Sequence, residues 1–111
     1  MNDCIFCQIR DKKIPANIAF ESENLLAFPD INPVADVHIV IVPKEHIAGV
    51  LDITDNGSLL SEIYRAVEEL VKKNNLETQA YRIVVNGAKA QHVPHLHFHL
   101  IGGQSLEWGK N

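Results

Sequence analysis

Cysteine is nearly absent from this 111-residue chain, basic residues are outnumbered, and no long apolar run occurs. Two cysteines, Cys4 and Cys7, are too few for a disulfide-stapled scaffold; their C-x-x-C spacing favours metal or redox chemistry instead. Ten Lys and Arg against 14 Asp and Glu give a formal charge of −4, which argues against a general nucleic-acid binder, since that requires a basic stripe. The apolar stretch from Ile39 to Pro43 is only strand length, far short of the ~20 residues that span a bilayer. The N-terminus lacks the basic start and apolar core of a secretion signal, so the expected compartment is the cytoplasm. No repeat, low-complexity run or linker divides the sequence, which predicts a single domain over residues 1–111.

What is present reads as an α+β chain. Cys7 to Lys13 predicts a short N-terminal helical turn, closed before Pro15 because the residue preceding proline avoids the helical region. Ile18 to Glu21 and Leu25 to Phe28 predict short strands around the polar Ser22-Glu23-Asn24 turn. Val37 to Val42, rich in β-branched residues, predicts the clearest strand, ended by Pro43. From about Ser58 to Asn74, Leu60, Ile63, Val67, Leu70 and Val71 recur at three- and four-residue spacing, the signature of an amphipathic helix laid on a sheet. Tyr81 to Val85 and His95 to Ile101 complete five mostly antiparallel strands with one long helix.

Four of the six histidines fall between His92 and His99. His95, His97 and His99 alternate with Leu96, Phe98 and Leu100, so a strand here puts the imidazoles on one face and the apolar anchors on the other. The row spans about 14 Å, enough to serve two chemical centres. A solvent-facing strand carries Thr, Lys or Glu rather than three imidazoles that repel one another when protonated. An imidazole can be a nucleophile, a proton carrier or a metal ligand. Upstream, Asn86-Gly87-Ala88 and Gln91 form a turn able to present amide groups to an anion. Together these point to attack at phosphorus.

These segments resemble the histidine triad (HIT) nucleotide-binding family, and within it the zinc-containing bacterial type of the Hint branch of purine nucleoside phosphoramidases. The resemblance rests on Cys4-Ile5-Phe6-Cys7, Leu26-Ala27-Phe28 with Asp30-Ile31-Asn32-Pro33, His38 through Pro43-Lys44, Val84-Val85-Asn86, His95 to Gly103, and Trp108. It implies that His97 attacks the α-phosphorus of a nucleoside 5'-phosphoramidate to give a nucleotidyl-histidine that water hydrolyses. His99 would bind phosphate oxygens, with His38 supporting the triad. The base would lie in an apolar slot of Ile5, Phe6, Phe28, Ile31 and Val40, residues that serve equally well as ordinary core. Asp30 would accept from ribose hydroxyls, or merely stabilise its turn. Asn86, Gln91 and Val93 match phosphate-side positions. Cys4, Cys7, His46 and His95 match a structural zinc site; by spacing alone the cysteines also suit a redox pair. The resemblance implies no organic cofactor, and a homodimer whose sheet continues across the interface.

The chain departs from the family pattern at His92, where Ser or Thr is usual. An imidazolium there is a stronger acid toward a departing amine, a bulkier ring that blocks the slot, or a side chain turned to solvent. The loop from Gly87 to Ala90 is short, and Pro94 removes a donor. Competing functions are a dinucleoside polyphosphate hydrolase, a nucleotidyl transferase, a nucleotide-binding regulatory module with weak turnover, and a purely metal-binding protein, which leaves Asp30 and Asn86 unexplained.

Overall fold

A computed structural model describes residues 4–54 and 56–104 of the chain. The element order is α1 (Ile5–Arg10), β1 (Phe20–Glu21), β2 (Leu25–Pro29), β3 (Val37–Pro43), a 3-10 turn (Val50–Ile53), α2 (Gly57–Lys73), β4 (Tyr81–Val85), a second 3-10 turn (Ala88–Ala90) and β5 (Phe98–Gly102). The strands form one antiparallel sheet in the order β1-β2-β3-β5-β4. The predicted α+β class, five strands and long helix are all found. No helix of the described residues is long and apolar enough to cross a membrane. Trp108, part of the family resemblance, lies outside the described residues.

Pleating gives the sheet two different faces. Leu25, Ala27, Ile39, Ile41, Phe98 and Leu100 point to one side, where α2 closes the main core with Leu59, Ile63, Ala66, Val67 and Leu70. Leu26, Phe28, Val40 and Val42 point to the other and pack with Cys4, Phe6 and Cys7 of the α1 region in a smaller cluster. The register sets Val40 opposite His99 and His38 opposite Ile101, so His38 and His99 are diagonal neighbours on that second face. The α2 face therefore holds the main core, and the α1 face carries His38 and His99.

The ends of α2 are fixed by local hydrogen bonds. Asn56 caps its start, its side-chain oxygen accepting from Leu59 N at 3.2 Å, a cap worth about 1 kcal/mol. At the other end Asn75 takes φ 58°; its N–H donates to Lys72 O at 3.1 Å and Leu76 N–H to Val71 O at 2.9 Å, the paired bonds of a Schellman stop. The sequence misjudged one position: Leu59 is buried, whereas Leu60 is only partly so, which makes the buried stripe Leu59-Ile63-Ala66-Val67-Leu70-Val71. Just past β5, Gly103 takes φ 120°, and a Cβ there would fall 2.6 Å from Asp36 side-chain atoms. Only glycine suits that turn.

Three elements differ most from the sequence expectation. Helix α1 both starts and ends earlier, at Ile5 and Arg10; it starts there because Cys4 acts as its cap, its Sγ accepting from Cys7 N at 3.4 Å. Strand β1 shrinks to Phe20–Glu21. Strand β5 begins at Phe98 rather than His95: His95 N–H turns back to Val93 O at 2.8 Å, and Leu96 N–H donates to Ile47 O at 2.6 Å. Alternation nevertheless survives upstream, since Leu96 is in the main core while His95 and His97 are not.

Candidate active site and metal centre

His95 belongs to a cluster with both cysteines. Its Nε2 lies 2.8 Å from the carbonyl of Pro43, which can only accept, so the ring proton sits on Nε2 and Nδ1 carries a bare lone pair. That lone pair faces Cys4 Sγ at 3.2 Å and Cys7 Sγ at 3.5 Å, and His46 Nδ1 approaches Cys7 Sγ at 3.2 Å. All four ligand atoms lie within 4.8 Å of one another. In a tetrahedral zinc site, bonds of about 2.3 Å to sulfur and 2.0–2.1 Å to nitrogen put neighbouring S and N atoms roughly 3.5 Å apart, which these distances match. The Pro43 carbonyl behind His95 is the outer partner that metal-binding histidines use. The donor set thus fits Zn²⁺ and favours metal over redox use of the C-x-x-C pair. Burial raises the Cys4 thiol above its ordinary pKa, so the thiolate that a metal needs would form only with the cation present.

His97 is buried, and its Nδ1 lies 2.8 Å from the carbonyl of His95. The carbonyl again dictates the tautomer: Nδ1 donates and Nε2 is left with a lone pair. Phe6 and His99 flank the ring, each with its centroid 5.0 Å away and tilted toward an edge-on contact.

The third member is set by a relay. Val34 N–H donates to His38 Nδ1 at 3.2 Å, which leaves the His38 proton on Nε2. That Nε2–H donates to His99 Nδ1 at 2.9 Å, and the His99 proton is thereby fixed on its Nε2. Beyond His95, whose lone pair faces the cysteines, the row presents a bare nitrogen on His97 beside a donor on His99. Asp30 closes the relay: Oδ1 accepts from Asn32 N at 2.8 Å, and Oδ2 approaches His38 Nε2 at 3.4 Å and His99 Nδ1 at 3.9 Å. Burial lowers the His38 pKa against the opposing pull of Asp30. Burial, with His97 and His38 adding to it, lowers His99 to about 4. Both rings are neutral at pH 7.

Asp30, His38 and His99 also lie close enough to suggest a second metal cluster. Proton placement rules it out as a match for a cation: a ligating imidazole donates its remote N–H to an acceptor, but the remote nitrogen of His38 itself accepts from Val34. The carbonyl behind His95 and the N–H behind His38 separate a metal ligand from a relay.

The other expected site residues fall into three groups. Phe6, Phe28 and Val40 are buried in the smaller cluster, with Val93 packed against it; Ile5 is 41% and Ile31 87% exposed, so neither is part of that cluster. Gln91 commits its Nε2 to the carbonyls of Ala48 at 2.7 Å and Val93 at 2.9 Å, tying the loop down. Asn86 is half-buried at the end of β4, and His92 is exposed. The loop between them holds Ala88 at φ 50°, unusual for a residue with a Cβ. Asp30 stabilises its turn through Oδ1, while Oδ2 faces His38 and His99. Sequence reasoning missed the backbone groups of Val34, Pro43 and His95 that assign every tautomer; no side-chain pattern signals them.

Comparison with known proteins agrees with this geometry. Residues 3–111 match the family model described as scavenger mRNA decapping enzyme C-terminal binding. A HIT-like protein of Synechococcus elongatus is 42% identical over 109 residues, covering 96% of this chain and 95% of that protein. The crystal structure of a HIT family hydrolase from Legionella pneumophila superposes with a TM-score of 0.91 at 39% identity, covering 98% and 100% of the two chains. A histidine triad nucleotide-binding protein from Candida albicans superposes at 0.79 with 32% identity, covering 98% of this chain and 85% of that one.

Proposed function

The chain belongs to the histidine triad family, and from that premise we propose that it is a nucleotide hydrolase that cleaves nucleoside 5'-phosphoramidates, purine ones foremost, through a covalent intermediate on His97. The observation that carries this reading is the hydrogen bond from His97 Nδ1 to the His95 carbonyl at 2.8 Å, which engages Nδ1 and leaves Nε2 as the nitrogen available for attack. In the first step Nε2 bonds to the α-phosphorus and the phosphorus–nitrogen bond breaks, the departing nitrogen taking a proton. In the second, water attacks phosphorus, the Nε2–phosphorus bond breaks, and the nucleoside monophosphate leaves with His97 restored. The His99 Nε2–H stabilises charge growing on the phosphate oxygens in both steps, held to that task by His38. Asp30 takes the ribose, Phe6, Phe28 and Val40 back the base, Ile5 and Ile31 cover it, and Asn86 with the Gln91–Val93 loop borders the phosphate. His92, exposed beside that loop, is the acid for the leaving amine.

A closed set of four protein ligands makes the zinc structural, with no open position for water. We further infer a cytoplasmic homodimer paired through β4, an edge strand with half-buried side chains. Turnover of adenosine, guanosine and uridine phosphoramidates, with a dinucleoside polyphosphate as comparison, tests the reading. The expected order is adenosine and guanosine first, with His97→Ala reduced to background. Preference for the dinucleotide, or near-wild-type turnover by His97→Ala, would overturn it.

A further inference from the structure

Helix α1 has six residues and no acidic residue in its first turn, so it is too short to hold itself together. Its fixed points are the Cys4 cap, the burial of Cys7, and Phe6 between them. Phe6 is 8% exposed and touches both functional centres: its ring centroid is 5.7 Å from that of His95 at 84°, 5.0 Å from that of His97 at 64°, and 5.7 Å from that of Phe28. His95 links the same two centres through its own atoms, since Nδ1 faces the cysteines while its carbonyl takes the His97 proton. One hydrogen bond fixes one ring nitrogen and leaves the plane of the imidazole to be set by what packs on it. Two rings do so, His99, itself fixed by the relay, and Phe6.

We propose that Phe6 is a positioning residue that conveys the state of the Cys4-Cys7-His46-His95 centre to the His97 imidazole. With the two cysteines clamped, the C-x-x-C turn presses Phe6 against His97 and holds its Nε2 in line with the phosphate. With the cysteines released, α1 loosens, the Phe6 contact goes, and His97 samples a second orientation. This adds to its place behind the base, which alone would weaken nucleotide binding on loss of Phe6 and leave the unliganded His97 unchanged. The kinetic consequence rests on the hydrolase reading above, whereas the effect on the ring does not.

The test uses the full-length, zinc-loaded chain labelled with ¹⁵N, and reads the His97 ring nitrogens by NMR without nucleotide and at one pH. Wild type should show a single Nδ1–H form. Phe6→Leu should keep the fold, because the apolar volume is largely retained, yet add a second His97 signal set. It should lower kcat for adenosine phosphoramidate about five- to tenfold, the worth of one lost aromatic contact, whatever the lost base contact does to KM. Phe6→Tyr should restore both, and chelating the metal from wild type should reproduce the second signal set. Phe6→Met takes the place of Phe6→Leu if leucine packs poorly. Altered His97 signals without turnover in any variant would uphold the positioning role and remove the hydrolase reading. Unchanged signals in Phe6→Leu, unchanged signals on chelation, or a raised KM with kcat retained would overturn the proposal.

Discussion

Acid should destabilise this protein through His99 over a defined window. Its pKa is lowered to about 4 in the folded chain against about 6.5 when unfolded, so between those values the unfolded state binds a proton that the folded state refuses. Stability therefore rises with pH across the window: the contribution is complete above pH 6.5 and is lost as pH falls toward 4. The His99 side chain is only 15% exposed, so solvent screens little of it. Going from pH 7 to pH 5 should cost about 2 kcal/mol from this residue alone, with the full loss near 3 kcal/mol below pH 4. The assay is urea unfolding of zinc-loaded wild type and His99→Gln at both pH values. Subtraction removes the acid sensitivity of the metal ligands, which both proteins share. The wild type should lose about 2 kcal/mol more than the variant. Equal losses would mean that His99 is not held neutral by burial, and the relay that assigns its tautomer would fail with it.

Three further outcomes follow from the same geometry. His38→Phe keeps the ring volume but removes the donor to His99, and should lower kcat about fivefold, the worth of one net hydrogen bond, with NMR showing mixed His99 tautomers; a single Nε2–H form would refute the relay. His92→Ala should slow a poorly activated amine leaving group about a hundredfold, within the usual range for general acid catalysis, while sparing an activated phenolic one, and equal losses would remove that role. Protein purified without a tag or added zinc should contain one Zn²⁺ per chain by metal analysis, with chelation or Cys4→Ser lowering Tm; substoichiometric metal and an unmoved Tm would count against the site.

The fold was legible where burial imposes a period. Alternation between His95 and Leu100 survives because Leu96, Phe98 and Leu100 go into the α2 core, and α2 itself announced its buried stripe to within one residue. What failed was hydrogen bonding that no side chain records. Strand β5 starts late because Pro94 has no N–H to donate and the His95 N–H folds back onto Val93. Helix α1 starts early because a cysteine caps it, an uncommon use for a thiol. That His95 gathers with Cys4, Cys7 and His46 could be anticipated from the family resemblance. The protonation pattern could not, because it depends on whether a backbone C=O or N–H stands behind each ring. Of the residues expected to line an apolar slot, Phe6, Phe28 and Val40 are buried in the smaller cluster, as ordinary core would also be, whereas Ile31 follows Asp30 into an exposed turn.

The nucleophilic lone pair on His97 Nε2 is the centre of the account, and rapid-quench mass spectrometry of the protein mixed with excess adenosine phosphoramidate tests it most directly. The expected result is a transient chain heavier by one adenylyl group, localised by acid-labile peptide mapping to His97 and absent from His97→Ala. Full turnover with no adduct at any time, or an adduct on another residue that persists in His97→Ala, would contradict it.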